Sequence, residues 1–405
     1  MTSGFLFVLC IGHFISSEGS SLLTRIEQKP PDDYLSDVIL STPQLIQKYG
    51  YPLEEHTVQT EDGYLLTHFR IPYGRNNPDL AGGPPVILQH GLLLASDIWL
   101  LEGEEKSLGF VMADAGYDVW LTNSRGNRHS NRHVNLTTNT GKFWNFSYHE
   151  MGYYDMPATI DYIRATIGEQ KVHYIGHSMG ATMLFVMLSM RPEYNDKVRL
   201  GISLAPVVFL WEPKSLLINF LVPNIKQLEG VLNLAKVWQL FPYNQKLARE
   251  IANYCEESSH QEICLQVYKL YYGDNTQLNK TLLPAIAAHH SSGGSTKTVF
   301  HFFQMFVTGL FQQYDYGPQE NIKHYGHPEP PAYDLRNVTA PMSLHYGEKD
   351  LFVNPEGVRH LAEQLFNVAA MSMGSPISFN HIDFILGKDA KGRVFEDVVA
   401  RMAVY

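Results

Sequence analysis

The sequence predicts an α/β fold in which helices cover a mostly parallel central sheet and one helical segment is inserted into the chain. Short apolar runs, among them residues 84–91, 171–175 and 198–204, alternate with helical stretches, which is typical of strand–helix–strand units. The runs are continuously apolar, as expected of parallel strands that are covered on both faces. The alternation stops near residue 208 and returns at the strand 342–346, so the residues between them form the predicted insertion.

These changes of pattern divide the chain into four predicted parts. They are a leader over residues 1–20, a first core part over 21–207, an inserted cap or lid over 208–334, and a second core part over 335–405. The leader contains an apolar run over residues 5–11, which is typical of a secretory signal peptide; a buried N-terminal strand or helix is the alternative. Neither this run nor any other is long and apolar enough to cross a bilayer.

The composition favours a folded protein and gives no support for nucleic-acid binding. Hydrophobic residues make up 44% of the 405 residues and charged residues only 18%, which argues against extended disorder. The formal net charge is -10, whereas phosphate binding needs clustered Lys and Arg side chains. An acidic surface instead keeps a secreted protein soluble.

Cysteines and glycosylation signals agree with passage through the secretory pathway. If Cys10 leaves with the leader, Cys255 and Cys264 remain. An even pair in a secreted chain predicts a disulfide, and two free buried thiols are the alternative. Together with the leader, four acceptor triplets for N-glycosylation favour a secreted or lysosomal protein. The triplets begin at Asn135, Asn145, Asn279 and Asn337.

A serine in a short turn is the first indication of catalysis. Residues 176–180, with the sequence GHSMG, fit the pattern G-x-S-x-G between the strand 171–175 and a helix over 179–190. A nucleophile elbow requires such a strand–turn–helix, because its serine lies on a strained backbone where nearby side chains must be small. We therefore predict Ser178 as the nucleophile of a serine hydrolase with the α/β-hydrolase fold. A serine that lies in a βα turn by chance is the alternative.

The acid and the base that activate the serine are predicted from their order along the chain. The hydroxyl needs a base to take its proton and an acid to hold the base in the right tautomer, and in this fold the acid precedes the histidine. Asp350 follows a late core strand and is the predicted acid, with Glu348 as the alternative. His381 precedes the final helix and is the predicted base. His360 competes for this role, although residues 355–366 have a helical pattern.

Two backbone N–H groups are predicted to bind the oxygen of the tetrahedral intermediate. One belongs to Met179, directly after the nucleophile, and the other to Leu92, in the loop after an early strand. In that loop His90 is expected to brace the backbone by a side-chain hydrogen bond rather than to act as a base. No metal site and no cofactor are expected. The pair His289 and His290 lacks an H-E-x-x-H or Cys-rich pattern, and no Gly-rich phosphate loop follows a strand.

Several longer stretches of the chain share one resemblance. They are 90–93, 113–121, 123–127, 143–144, 146–147, 150–151, 154–161, 315–317 and 381–384. Together they resemble the acid lipase family, which includes gastric and lysosomal lipases. The likeness runs from about residue 49 to residue 390, nearly the whole of the chain after the leader.

The resemblance implies hydrolysis of carboxylic esters in neutral lipids, either triacylglycerols or steryl esters, by a triad that needs no cofactor. Carried onto this sequence, the triad is Ser178, Asp350 and His381, the oxyanion donors are Leu92 and Met179, and the cysteine pair corresponds to a disulfide in the family's cap. One position departs from the family, which commonly has Gln after the serine where this chain has Met179. Because the donor is a backbone N–H, we expect the chemistry to survive and the acyl pocket to differ.

The predicted cap is unusually apolar. Residues 209–225 and 300–311 contain more apolar bulk than a small cap needs for its own packing. This composition favours a cap that shields an apolar site in water and opens it at a lipid surface. Packing of the cap against the core accounts for part of the same residues.

Two other functions remain open from the sequence. One is an esterase of smaller, soluble esters, against which the large apolar cap argues. The other is a non-catalytic lipid-binding or storage protein on a lipase scaffold. Such proteins typically lose a member of the triad, whereas all three candidates are present here. An epoxide hydrolase or dehalogenase would normally place Asp at the elbow, where this chain has Ser178.

Overall fold

The fold is described from a computed structural model of the chain. It covers residues 37–76, 79, 81–274, 277–373 and 379–405. The predicted leader and the first residues of the predicted core therefore lie outside the described residues.

A mostly parallel sheet forms the centre of the described chain, as the apolar runs predict. Its strands lie in the order β1-β2-β4-β3-β6-β7-β10-β11, with β5 paired to β2. The strands from β4 to β11 in this order run parallel to one another, whereas β2 is antiparallel to both β1 and β4. The strands of this sheet are β1 Glu54–Gln59, β2 Tyr64–Ile71, β3 Pro85–Gln89, β4 Asp118–Thr122, β5 Arg132–His133, β6 Val172–His177, β7 Val198–Leu204, β10 Met342–Tyr346 and β11 Val368–Met373. Strands β8 Gln239–Leu240 and β9 Gly294–Ser295 form a separate pair.

Helices follow most of the parallel strands and flank the sheet. They are α1 Thr42–Lys48, α2 Leu108–Asp114, α3 Tyr148–Glu150, α4 Met156–Ile167, α5 Met179–Met190, α6 Leu216–Leu221, α7 Ile225–Leu234, α8 Gln245–Glu256, α9 Gln261–Tyr272, α10 Leu283–His289, α11 Thr296–Thr308, α12 Pro318–Tyr325, α13 Pro355–Gln364, α14 Asp383–Leu386 and α15 Glu396–Met402. Helix α5 is buried along almost its whole length, since its sequence is apolar on every side, as in a helix enclosed by the core.

The parallel arrangement brings three distant loops to one edge of the sheet. In the pairing of β3 with β6, Gln89 lies opposite Gly176, and in the pairing of β6 with β7, His177 lies opposite Leu204. Strand β10 pairs with β7 in the same direction. The loops that follow β3, β6 and β10 therefore begin at the same edge, where ligands bind in open α/β sheets.

The chain between β7 and β10 is mainly helical, at the position where the sequence predicts an insertion. It contains α6 to α12 and the short antiparallel pair of β8 with β9. A disulfide joins Cys255 in α8 to Cys264 in α9, so the alternative of two free thiols is wrong. The bounds 208–334 of an independent cap domain stay a prediction. Among the residues described, no helix is long and apolar enough to serve as a transmembrane span.

Candidate active site

Ser178 lies on a sharp turn between β6 and α5. Its backbone has φ 55° and ψ -118°, a conformation that a non-glycine residue adopts at a cost and that is typical of functional sites. The turn is tight because its neighbours are small: a Cβ on Gly176 would lie 2.6 Å from the carbonyl carbon of Gly180. The Ser178 amide donates to the carbonyl oxygen of Leu204 at 2.9 Å, which ties the turn to the end of β7.

His381 lies within hydrogen-bond distance of the serine hydroxyl. The Ser178 Oγ–H donates to His381 Nε2 over 2.8 Å, although 203 residues separate the two along the chain. His381 lies in the loop before α14 and is only 5% exposed. The competing His360 lies on α13, where its Nε2 pairs with the side chain of Gln364. The structure thus brings His381, and not His360, to the serine.

Asp350 completes the chain of hydrogen bonds. The His381 Nδ1–H donates to Asp350 Oδ2 at 2.7 Å. The other carboxylate oxygen, Oδ1, accepts the backbone N–H groups of Phe352 at 2.8 Å and Val353 at 3.0 Å. The alternative acid Glu348 is exposed and interacts through its backbone oxygen, which accepts from Lys214 Nζ. This arrangement fixes the imidazole tautomer with its proton on Nδ1, so that Nε2 can accept a proton from the serine.

The loop after β3 packs directly against the nucleophile turn. An ideal Cβ on Gly91 would lie 3.1 Å from His177 Nδ1 and 3.2 Å from Ser178 Cβ, so glycine allows this close approach. The two predicted oxyanion donors, Leu92 and Met179, line one small cavity beside the turn. Met179 is the first residue of α5, where helix geometry leaves the backbone N–H without an intrahelical acceptor.

His90 braces this loop with both of its ring nitrogens. Its Nδ1–H donates to the carbonyl oxygen of Gly91 at 2.8 Å. Its Nε2 accepts from the backbone N–H of Ser124 at 3.2 Å and from Asn127 Nδ2 at 3.1 Å. Burial lowers the pKa of His90 to about 4, so the ring is neutral near pH 7 and Nε2 remains an acceptor.

His177 has a positioning contact that the sequence does not predict. Its Nε2–H donates to the backbone carbonyl oxygen of His381 at 2.7 Å, and the two ring centroids are 5.0 Å apart. Burial lowers the pKa of His177 to about 3, which keeps the ring neutral. The only signal in the sequence is that His177 precedes the nucleophile within the turn.

Buried hydrogen-bonded pairs hold the remaining loops around the site. Arg125 Nε donates to Asp155 Oδ1 at 2.7 Å, and its guanidinium lies 3.9 Å from the ring centroid of Tyr64. His289, which the sequence analysis treats as structural, pairs with the buried carboxylate of Asp97. Its neighbour His290 pairs with Tyr272.

Within the described part of the chain, no group of three or more His, Cys, Asp or Glu side chains is arranged to hold a metal ion.

Comparisons of the sequence with known proteins identify the family of this chain. The family model "partial alpha/beta-hydrolase lipase region" matches residues 42–103, and the model "alpha/beta hydrolase fold" matches residues 84–373. The chain is 35% identical to the gastric triacylglycerol lipase of Bos taurus, in an alignment that covers 98% of this chain and 98% of that protein. It is 37% identical to Lipase 1 of Drosophila melanogaster over 91% of this chain and 82% of that protein. It is 35% identical to Lipase member N of Homo sapiens over 91% of this chain and 92% of that protein.

A solved structure supports the fold independently. The crystal structure of a membrane phospholipase A that is a bacterial virulence factor matches 98% of this chain and 97% of that chain, with a TM-score of 0.50 and 14% identity. The sheet order, the turn at Ser178 and these matches define a serine ester hydrolase with the α/β-hydrolase fold. More narrowly, the chain belongs to the acid lipase family of α/β-hydrolases, as its sequence resemblance predicts.

Proposed function

We propose that this protein hydrolyses carboxylic ester bonds of neutral lipids, with triacylglycerols and steryl esters as the substrate class, and that Ser178, His381 and Asp350 carry out the reaction. The unbroken chain of hydrogen bonds from Ser178 Oγ through His381 to Asp350 is the observation that supports this role. Each of the three side chains is at most 9% exposed, and burial strengthens such polar interactions by excluding water.

In this mechanism His381 Nε2 takes the proton of the Ser178 hydroxyl as Oγ attacks the ester carbonyl carbon. Collapse of the tetrahedral intermediate breaks the bond to the alcohol, which leaves with the proton from His381. Water then attacks the acyl-enzyme by the same route and releases the fatty acid. Asp350 stabilises the imidazolium that forms in each step.

The oxyanion is bound by backbone N–H groups of Leu92 and Met179. Their position at one small cavity beside Ser178 supports this role, as does the start of α5 at Met179. The N-terminus of a buried helix carries partial positive charge, which stabilises negative charge at this point. The His90 ring makes three hydrogen bonds that fix the loop, one of them to Gly91, and these contacts hold the neighbouring Leu92 in place.

The helical segment between β7 and β10 supports a lipid as substrate. Large apolar side chains on α6 and α7 face solvent: Leu216 is 80% exposed, Phe220 60% and Leu234 86%. Exposed apolar patches of this kind are typical of surfaces that bind protein or membrane. We assign this face to the lipid–water interface, with the segment acting as a lid over the site. The names of the relatives, among them gastric triacylglycerol lipase, agree with this substrate class.

Delivery through the secretory pathway, to the cell exterior or the lysosome, completes the proposal. The disulfide between Cys255 and Cys264 supports an oxidising compartment. Three of the four glycosylation triplets begin at exposed residues, Asn135, Asn145 and Asn337, as glycan attachment requires.

A panel of substrates tests the proposal. The full chain is assayed on emulsified long-chain triacylglycerol, on steryl ester in mixed micelles and on a soluble short-chain ester, each at about pH 5 and about pH 8, beside the variant Ser178→Ala. We expect hydrolysis of the emulsified lipids by the wild type and loss of at least about 10³-fold in the variant. Activity retained by a folded Ser178→Ala protein would overturn the assignment of the nucleophile. Hydrolysis confined to the soluble ester would replace the lipid substrate by small esters.

A further inference from the structure

Phe352 contacts both the acid and the base of the site. It lies two residues after Asp350, and its backbone N–H donates to Asp350 Oδ1 at 2.8 Å. Its ring meets the imidazole of His381 nearly edge-on, with centroids 4.9 Å apart and planes at 71°. One residue therefore limits the movement of the carboxylate and of the imidazole together.

The same ring also packs against the helical segment between β7 and β10. Five buried side chains of that segment form what we term the lid cluster. Phe352 packs against this cluster and against the main core, so it lies where the two meet. The cluster consists of Ile218, Ile225, Phe300, Phe303 and Tyr314.

Two hydrogen bonds tie the loop of Phe352 to the beginning of the helical segment. On one side of Phe352, the Lys214 amide donates to the carbonyl oxygen of Leu351 at 3.2 Å. On the other side, Asn354 Nδ2 donates to the carbonyl oxygen of Trp211 at 2.7 Å. A shift of the chain that leads into α6 is therefore transmitted to the loop that holds Asp350.

We propose that Phe352 is a positioning residue that couples the placement of the lid helices to the reactivity of Ser178, through the orientation of His381. The proposal rests on the catalytic roles proposed above. Aromatic pairs have a preferred geometry, and proton transfer from the serine tolerates little misplacement of the base. When the lid cluster packs on Phe352, its ring holds the imidazole toward Ser178 Oγ. When this packing loosens, the imidazole gains freedom and the serine loses reactivity.

Phe306 supplies a matched control for the packing. It also packs against both the lid cluster and the main core, and like Phe352 it is half-buried. Its ring neighbour is Phe303, with centroids 6.3 Å apart, rather than a residue of the triad. Phe306→Ala therefore removes a comparable apolar contact between the lid cluster and the core without changing the neighbours of His381.

The test measures two reactions of the full-length protein. One is the rate constant for phosphonylation of Ser178 by a fluorophosphonate, and the other is kcat and KM for a soluble p-nitrophenyl ester. For Phe352→Ala we expect kcat and the phosphonylation rate to fall about ten-fold while KM changes by less than about two-fold. In Phe352→Tyr and in Phe306→Ala, kcat and the phosphonylation rate should both stay within about two-fold of the wild type. If Phe352→Ala does not fold, Phe352→Leu replaces it, since leucine retains apolar volume.

A second measurement tests the coupling to the lid. Ile218→Ala loosens the lid cluster, and we expect its effect on the phosphonylation rate to be much smaller in a Phe352→Ala background, because the route is already interrupted. Equal losses of the phosphonylation rate in Phe352→Ala and Phe306→Ala would overturn the proposal. It would also be overturned if the double variant shows the product of the fold-losses of Ile218→Ala and Phe352→Ala, because the two residues would then act independently. A wild type that neither cleaves the ester nor reacts with the phosphonate would overturn the proposed function as well. A wild type whose reactivity depends on Ser178 but not on Phe352 would overturn this proposal alone.

Discussion

Replacing Asp350 by Asn tests the proposed triad most directly, because the structure determines which way the new amide must point. One oxygen of Asp350 accepts two backbone N–H groups, from Phe352 and Val353. In Asp350→Asn the amide oxygen must stay there, since an NH₂ group would face two donors. The NH₂ group then faces His381 Nδ1 and donates to it, which moves the imidazole proton to Nε2. That nitrogen can no longer accept the proton of Ser178.

The expected loss follows from this tautomer change. Loss of the carboxylate that orients a catalytic histidine lowers kcat by about 10⁴-fold in comparable triads, which corresponds to roughly 5 kcal/mol of transition-state stabilisation. Because the turn after Asp350 keeps its backbone hydrogen bonds, we expect little change in the thermal unfolding midpoint. The assay is kcat on a soluble ester, with thermal unfolding followed on the same samples.

Glu348→Gln is the matched control for Asp350→Asn. Glu348 precedes Asp350 by two residues, is exposed, and lies outside the hydrogen-bond chain of the site, so its variant should retain activity. The reasoning is refuted if Asp350→Asn keeps kcat within about ten-fold of the wild type. A large loss in Glu348→Gln, with Asp350→Asn active, would reassign the acid to Glu348.

Two further predictions concern stability. Burial lowers the pKa of His345 to about 4, below the ordinary value of roughly 6.5, so the unfolded chain binds the extra proton first and stability falls as the pH drops through this range. Between about pH 7 and about pH 5, His345→Gln should therefore lose about 2 kcal/mol less unfolding free energy than the wild type loses. Denaturant titrations at the two pH values measure this difference, and the same pH dependence in wild type and variant would contradict the prediction. The cysteine pair closes a loop with a sequence separation of 9, so Cys255→Ser with Cys264→Ser should lower the stability of the helical segment by about 2–3 kcal/mol. Chemical unfolding without reductant measures this effect, and an unchanged transition would show that the bond adds no stability.

The sequence predicts the central strands and helices well because buried elements have continuous apolar runs in the sequence. The strand 198–204 and the helix 179–190 have the same bounds in the structure. Strand β11, over Val368–Met373, is not predicted from the sequence. Within the described chain it lies at one end of the strand order, paired with β10, so residues 368–372 are partly exposed, and small side chains interrupt the apolar pattern. The two-residue strands β8 and β9 are too short for any periodicity.

The three residues of the proposed triad could be chosen from the sequence because chain order and loop position restrict each candidate, and the structure brings the same three residues together. The contacts around the triad could not be predicted. His177 reaches the carbonyl of His381 across 204 residues, and Phe352 meets His381 only because two loops converge at one edge of the sheet. A pattern of residue types contains no distances, so it can identify the residues of a site but not the contacts that position them.

In the proposed mechanism, the backbone of Met179 serves the chemistry and its side chain serves the substrate. Its backbone N–H is freed by the start of α5, a consequence of helix geometry that does not depend on the side chain. Met179 is 2% exposed and belongs to the main core cluster, and it lines the small cavity at this turn together with Leu92 and Met151 and with polar residues such as Ser124 and Arg125. Gln, which the family commonly has here, would bring a buried amide that needs hydrogen-bond partners, whereas a flexible thioether fills the same space without one. The change to Met179 is therefore expected to leave the oxyanion donor in place and to make the wall of the acyl pocket more apolar.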